Sequence, residues 1–215
     1  MRNLVEVLTL TNDDDGICAS QALGAAGSLT INGALATSGV ALWNRDTGQI
    51  VTVTSAGNDS GITFTITGAD PDGTSITQTI TGANAGAAVT TYFFTTVTSI
   101  TASGAVATTV KVGVLSANLA VGRSLRVNGQ QMNFKLGLFV DISGTCTYTA
   151  QYAYQQPEDT YAVSYSTSAD WRSVDGLTAL SADGASNLAY KVNAVRLKLT
   201  AYTSGTATLT ATQSY

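Results

Sequence analysis

The chain alternates between apolar and polar side chains over long stretches, and the clearest alternation lies in residues 62–82. Threonines separate the apolar side chains of Ile62, Phe64 and Ile66, so these three lie on one face of an extended strand. A turn over residues 70–73 follows, and the chain then alternates again up to residue 82. The pattern predicts a β-hairpin with one apolar face and one threonine face.

Shorter patterns of the same kind predict further hairpins. Asn-Gly pairs at residues 32–33 and 128–129 stand between extended arms, which favours tight type I′ turns because both turn residues need a positive φ. The Ser-Gly pair at residues 143–144 is predicted to turn one alternating strand back on another, and residues 203–205 are predicted to do the same. No run has the period of a helix of normal length.

Composition supports an all-β protein built from two domains. The chain is rich in threonine, has 21 glycines and two prolines, and is 44% hydrophobic, which is typical of short strands joined by glycine-containing turns. Residues 115–122 separate a threonine-rich, acidic half from a tyrosine-rich half. We therefore expect two tandem antiparallel β-sandwiches of immunoglobulin-like or jelly-roll-like type, over residues 1–118 and 119–215.

Charge narrows the range of partners. The net charge of −4 argues against sequence-independent nucleic-acid binding, which needs clustered lysine and arginine. Residues 1–110 hold two basic and eight acidic side chains, whereas residues 111–215 hold eight basic and six acidic ones. This asymmetry reflects either two solvated surfaces of different sign or two halves that face different partners. No stretch is long and apolar enough for a membrane helix, and residues 4–10 predict a strand rather than a signal peptide.

The residue types give little support for catalysis or metal binding. The chain has no histidine, which excludes Ser-His-Asp and Cys-His arrangements and histidine-bearing zinc sites. Glu158, Asp159 and Asp170 could supply the paired carboxylates of a glycosidase, but solvated acids in a polar loop are the simpler interpretation. The Asn-Asp-Asp-Asp-Gly run at residues 12–16 does not match a calcium loop and is predicted to be a solvated turn. We expect no enzyme activity, no cofactor and no metal site.

The two cysteines predict free thiols. Cys18 and Cys146 are the whole complement, and they do not form a Cys-x-x-Cys motif. Two such residues do not make a disulfide framework, so we expect both to be buried or unreactive thiols.

Aromatic residues concentrate in the second half. Three tyrosines share one face of a predicted strand, which favours burial in a core or interface: Tyr148, Tyr152 and Tyr154. Three further rings lie in the long polar stretch over residues 155–191 and are the candidates for a contact surface: Tyr161, Tyr165 and Trp171. Such rings could also stack on sugars, so a carbohydrate-binding module stays open as an alternative.

A set of motifs in residues 52–114 resembles a module common in structural proteins of tailed bacteriophages. The motifs are GNDSGITFTITG, a GANAG turn, the pair Tyr92 and Phe93, TVTS and a closing VKVGV strand. Thr95 stands where this module usually has a basic residue. The second half is similar to β domains of such virion proteins through NFKLGLFVDISGTCTYTAQYAY and NAVRLKLTAYTSGTATLTATQ. Such modules occur on heads, tails and fibres alike.

The resemblance implies a virion structural protein, assembled in the host cytoplasm, that forms homo-oligomers and binds the major capsid protein or other virion subunits. Within that class, a head decoration or cement protein on the outside of the capsid suits the compact size and the lack of helical segments. The alternative within phages is a tail-tube, adaptor or fibre-base component. We expect residues 119–215 to dock on the virion through Trp171, Arg172, Tyr161 and Tyr165, because interface cores favour tyrosine, tryptophan and arginine.

Overall fold

The computed structural model describes residues 2–114, 120–130, 134–154 and 171–213. In these residues the structure contains strands and no helix, which confirms the all-β prediction. The same residues accordingly contain no helix that could cross a membrane. The strands are β1 (Arg2–Leu8), β2 (Asp13–Gln21), β3 (Gly27–Ser28), β4 (Ala36–Thr37), β5 (Val40–Leu42), β6 (Thr47–Gln49), β7 (Val51–Asn58), β8 (Thr63–Ala69), β9 (Ser75–Thr81), β10 (Asn84–Val89), β11 (Thr96–Ala102), β12 (Val110–Val114), β13 (Ala120–Gly122), β14 (Leu125–Arg126), β15 (Leu136–Ala153), β16 (Arg172–Ser173), β17 (Gly184–Leu188) and β18 (Ala194–Gln213).

The strands pack as two compact units whose bounds differ from the predicted domains. The sandwich unit contains Thr11–Arg45 and Gln49–Ala117, and the long-strand unit contains Met1–Leu10, Asp46–Gly48 and Asn118–Tyr215. The last change of unit along the chain falls within the predicted junction at residues 115–122. The N-terminal segment, however, belongs with the second half of the chain, because β1 pairs along its length with β18.

The sandwich unit consists of two antiparallel sheets over one core. One sheet has the strand order β10-β7-β12-β2, and the other has the order β4-β5-β11-β8-β9 with β3 beside β11. Val53 and Val112 from the first sheet and Phe64, Ile66 and Ile100 from the second are completely buried in the same hydrophobic cluster. Two antiparallel sheets that share a core in this way form a β-sandwich.

The hairpin predicted over residues 62–82 is confirmed. Strands β8 and β9 pair antiparallel with Phe64 opposite Ile80, and Phe64 and Ile66 face the core with no exposed surface. The turn is closed by a backbone hydrogen bond of 3.0 Å from Gly73 N to Asp70 O. Gly73 has a φ of 82°, a conformation that glycine adopts without a steric penalty.

Neither Asn-Gly pair forms the predicted type I′ turn. Asn32, Gly33, Asn128 and Gly129 are all described, and none of them has a positive φ. Gly33 is needed for another reason, because a Cβ there would lie 2.3 Å from the backbone carbonyl carbon of Gly16. At residues 32–33 the glycine therefore allows a close approach to the backbone of Gly16 and does not form a turn.

The long-strand unit is built on β15 and β18, which pair antiparallel with each other over residues 136–153 and 194–213. The local hairpins predicted at residues 143–144 and 203–205 are therefore wrong. Alternation of apolar and polar side chains is the same in a hairpin and in a long strand that bends, so the pattern could not separate the two.

The glycines of those predicted turns bend the long strands instead. Gly144 and Gly205 lie opposite each other in the register, with φ values of 94° and 95°. Leu138 and Tyr148 lie on β15 on either side of this bend, and both are buried in one hydrophobic core. A single eight-stranded sheet therefore lines this core with both arms of its long strands.

The observed units also change the distribution of charge. The sandwich unit carries two basic and six acidic side chains, whereas the long-strand unit carries eight of each. Two changes account for the difference from the half-by-half count: Arg2, Glu6 and Asp46 join the long-strand unit, and Lys111 falls in the sandwich unit. The long-strand unit is therefore neutral rather than basic.

Candidate interaction surface

The predicted interface residues fall into different environments. Arg172 is exposed on β16, where it lies opposite Tyr152 of β15. Trp171 precedes it in the chain and is only 5% exposed. Tyr161 and Tyr165 lie outside the described residues.

Trp171 packs inside the long-strand unit. The Cζ atom of Arg196 lies 4.1 Å from the centroid of its ring, and Ala153 and Ala194 share a small buried cluster with it. Arg196 is itself 2% exposed, and its Nε donates a hydrogen bond of 2.9 Å to Oε1 of Gln151. A cation over an indole ring is a favourable contact, and it is stronger when both groups are removed from water. The ring therefore contributes to the packing of this unit.

A cluster of three tyrosines lies beside Arg172. Tyr152 lies near the end of β15 and Tyr154 directly follows the strand, and their ring centroids are 5.3 Å apart in an edge-to-face arrangement. Tyr190, between β17 and β18, lies 5.2 Å from Tyr152 and 6.0 Å from Tyr154, again between ring centroids. The guanidinium carbon of Arg172 lies 5.9 Å from the centroid of the Tyr154 ring. We call these four residues the tyrosine–arginine patch.

The backbone around the patch is fixed by hydrogen bonds. Asn193 Nδ2 donates to the carbonyl oxygen of Tyr154 at 2.6 Å, and Asn193 N donates to the carbonyl oxygen of Ala153 at 2.8 Å. The segment that carries Tyr190 is thereby held against the end of β15. The three rings consequently have defined positions.

Hydrogen bonds between the phenol groups raise the pKa of two of them. The hydrogen bond with Tyr190 raises the pKa of the Tyr152 phenol, and the hydrogen bond with Tyr154 lowers that pKa in part. The hydrogen bond with Tyr152 raises the pKa of the Tyr154 phenol, and the nearby charge of Arg172 lowers both pKa values by a smaller amount. The phenols of Tyr152 and Tyr154 therefore keep their protons in the hydrogen bonds within the patch.

The sequence singled out Arg172 and left the environment of Tyr154 open. Tyr154 shares a strand face with Tyr148 and Tyr152, which predicted burial in a core or an interface; it directly follows β15 and is 49% exposed, so it lies outside the core of this unit. Tyr190 carries no local signal, because only the packing of the segment after β17 brings it to β15. Alternation shows which face a residue occupies but not where the core ends along a strand.

The acidic run near the N-terminus lies in a strand rather than in the predicted turn. Asp13, Asp14 and Asp15 begin β2, and Asp13 pairs with Val114 of β12. Their carboxylate oxygens lie within 4.8 Å of one another, and Asp14 forms an ion pair with Lys111. This ion pair compensates part of the local negative charge. The carboxylates named for a glycosidase, Glu158, Asp159 and Asp170, lie outside the described residues.

Comparison with known proteins gives no family. No family model matches the chain, and no curated protein matches it. Among solved structures, the crystal structure of the STIV MCP, a viral major capsid protein, aligns with 90% of this chain and 95% of its own at 5% identity. The TM-score is 0.18, so this likeness carries no argument about the chain.

Both cysteines are free and buried, which confirms that prediction. Cys18 lies in the core of the sandwich unit with no exposed surface, and burial raises the pKa of its thiol to about 12. Cys146 is 3% exposed in the long-strand unit, and burial raises the pKa of its thiol as well. Both thiols are therefore protonated at neutral pH and poorly nucleophilic.

Proposed function

We propose that this chain is a structural protein of a tailed-phage virion, and within that class a decoration protein bound to the outside of the capsid lattice. The observation that carries the proposal is the run of phage-like motifs in residues 52–114. Those residues fold as consecutive strands from β7 to β12, and all of these strands belong to the sandwich unit. The resemblance therefore covers one coherent structural element rather than scattered short matches.

The outer face of the β8–β9 hairpin suits a surface that meets solvent. Thr65 and Thr79 share a hydrogen bond of 2.9 Å between their hydroxyls, and Thr67 and Thr77 share one of 3.0 Å. Such cross-strand pairs stabilise a sheet without creating an apolar surface. This supports an arrangement in which the sandwich unit projects from the particle.

Two of the three buried carboxylates that the structure describes, those of Asp59 and Asp70, have a structural role. Asp59 Oδ1 accepts a hydrogen bond of 2.7 Å from the backbone N of Ala107. Asp70 Oδ1 accepts hydrogen bonds of 2.9 Å from the backbone N atoms of Asp72 and Thr74. These carboxylates hold loops in place, which is a common structural use of aspartate. We accordingly propose that the chain is not an enzyme.

The long-strand unit is the part that we propose docks on the virion. It carries the tyrosine–arginine patch, and tyrosine and arginine are enriched in the energetically dominant parts of protein interfaces. The partner on the particle would be the major capsid protein or another virion subunit. Arg172 keeps the anchoring role predicted from the sequence, while Trp171 supports the unit beneath it.

Copy number in purified particles tests this proposal. The phage that encodes the chain is purified, its proteins are separated, and the amount of this chain is measured against the major capsid protein. A decoration protein is expected in dozens to hundreds of copies per particle, in proportion to the capsid subunits. A copy number that matches the symmetry of the tail axis would instead favour the tail-tube, adaptor or fibre-base alternative. Absence from purified particles would contradict a virion role.

A further inference from the structure

We propose that Tyr154, Tyr190 and Arg172 form a docking site for a carboxylate-bearing segment of a partner protein subunit. The inference rests on the proposed function, because it takes that partner to be another subunit of the virion. It goes further by naming the surface and the chemical group that the surface recognises.

The exposure of the rings indicates a contact surface. Tyr154 is 49% exposed and Tyr190 is 41% exposed, while Tyr152 beneath them is 9% exposed. The buried ring of Tyr152 contacts Tyr154 edge to face and Tyr190 at a tilt. These contacts restrict the movement of the two exposed rings. Rings that are already ordered lose little conformational entropy when a partner covers them.

Arg172 gives the patch its charge preference. Among the described residues, no carboxylate forms an ion pair with this arginine, whose contact is with the Tyr154 ring. The guanidinium of Arg172 presents a planar pair of hydrogen-bond donors that match the two oxygens of a carboxylate. The contact with the Tyr154 ring, whose centroid lies 5.9 Å from the guanidinium carbon, also favours a position of the guanidinium beside the rings. An aspartate, a glutamate or a C-terminal carboxylate of the partner satisfies these donors.

The arrangement of the rings favours a protein partner over a sugar. A sugar ring stacks on a flat aromatic face, whereas the three ring planes here are inclined to each other by 47° to 81°. The guanidinium of Arg172 also lies over the Tyr154 ring. The surface is thus uneven rather than a flat platform.

The experiment measures binding of the full chain to particles that lack it. Purified particles without this protein are mixed with the wild type, Arg172→Gln, Arg172→Lys or Tyr190→Ala, and the bound fraction is measured by sedimentation over a range of concentrations. Arg172→Gln and Tyr190→Ala are expected to weaken binding at least about tenfold. Arg172→Lys is expected to recover part of the loss, since it keeps the charge but not the planar pair of donors. Thermal unfolding of each variant shows that it is folded.

Matched controls come from the same unit. Phe139 is 47% exposed and Arg126 is exposed, and neither belongs to the patch, so Phe139→Ala and Arg126→Gln are expected to bind as the wild type does. If the wild type binds and Arg172→Gln and Tyr190→Ala bind equally well, the docking site is wrong while the virion role stands. If the wild type does not bind, the proposed function itself fails and this inference fails with it. Glycan-array binding that Tyr154→Ala abolishes would overturn the protein partner in favour of a sugar.

Discussion

The guanidinium of Arg196 lies 4.1 Å from the centre of the Trp171 ring, and both residues are almost completely buried. Trp171→Ala is therefore expected to lower the free energy of unfolding by about 3 kcal/mol or more, because it removes a large buried ring and leaves a cavity. Trp171→Phe keeps a ring under the guanidinium and is expected to cost less. Urea denaturation of the full chain measures both variants. An unfolding free energy for Trp171→Ala equal to that of the wild type would contradict this placement.

The bend in the long strands depends on glycine at two positions. A Cβ on Gly205 would lie 1.6 Å from the carbonyl oxygen of Ser143, and the φ of 95° adds strain for any other residue. Gly205→Ala is expected to destabilise the chain by at least about 2 kcal/mol. Gly137→Ala, on the same sheet, is the control, because a Cβ there meets its nearest atom at an ordinary 3.5 Å. Equal melting temperatures for the two variants would contradict the described bend.

The sequence predicted local features better than it predicted long-range pairing. The hairpin at residues 62–82 followed from alternation around a short turn with glycine at its end, and both signals are local. The pairing of β1 with β18 joins opposite ends of the chain, and no local pattern encodes such a contact. Ser-Gly at residues 143–144 predicted a reversal because a glycine with positive φ serves a turn and a bend equally well. For the same reason, the sequence placed residues 1–10 in the first domain, although they pack with the second half of the chain.

The candidate surface was likewise predictable from the sequence only in part. Arg172 was identified because arginine and aromatic residues are enriched in interfaces. Residue type and adjacency in the chain can both be read from the sequence. Its partner ring, Tyr154, was expected in a core or an interface without a choice between the two, and Tyr190 was not singled out. Both depend on where the core ends and on the path of the segment after β17, and these are properties of the packed fold.

Glu6 should make stability depend on pH. Its side chain is completely buried on β1, and its Oε2 accepts a hydrogen bond of 3.1 Å from the backbone N of Leu197. Burial raises the pKa of this carboxyl well above its ordinary value of 4.5, and the hydrogen bond from Leu197 and the charge of Arg123 offset the shift only in part. The folded state therefore holds a proton that the unfolded state has already lost. The resulting stabilisation is full below the unfolded pKa and is lost as pH rises through the folded pKa.

Glu6→Gln tests this dependence, because glutamine cannot lose a proton. The variant is expected to gain stability relative to the wild type as pH rises above 4.5, and the measurement is the free energy of unfolding at several pH values. Asp141→Asn removes an exposed carboxyl from the same sheet and serves as the control. Parallel curves for the wild type and Glu6→Gln would contradict a raised pKa.

The buried thiols should resist modification in the folded protein. The thiol of Cys18 has a pKa of about 12 and no exposed surface, so very little reactive thiolate reaches solvent at pH 8. Iodoacetamide is expected to label Cys18 slowly in native buffer and rapidly in denaturant, as measured by mass spectrometry. A reductant should leave the melting temperature unchanged. Rapid labelling of the native protein would show that Cys18 is not in the core.

A reconstruction of the virion of the phage that encodes the chain is the sharpest test of the proposal that it decorates the outside of the capsid. We expect density for both β units on the outer surface of the shell, repeated with the capsid lattice, with the patch of Tyr154, Tyr190 and Arg172 against a neighbouring subunit. Density at the tail, inside the shell or nowhere on the particle would contradict it.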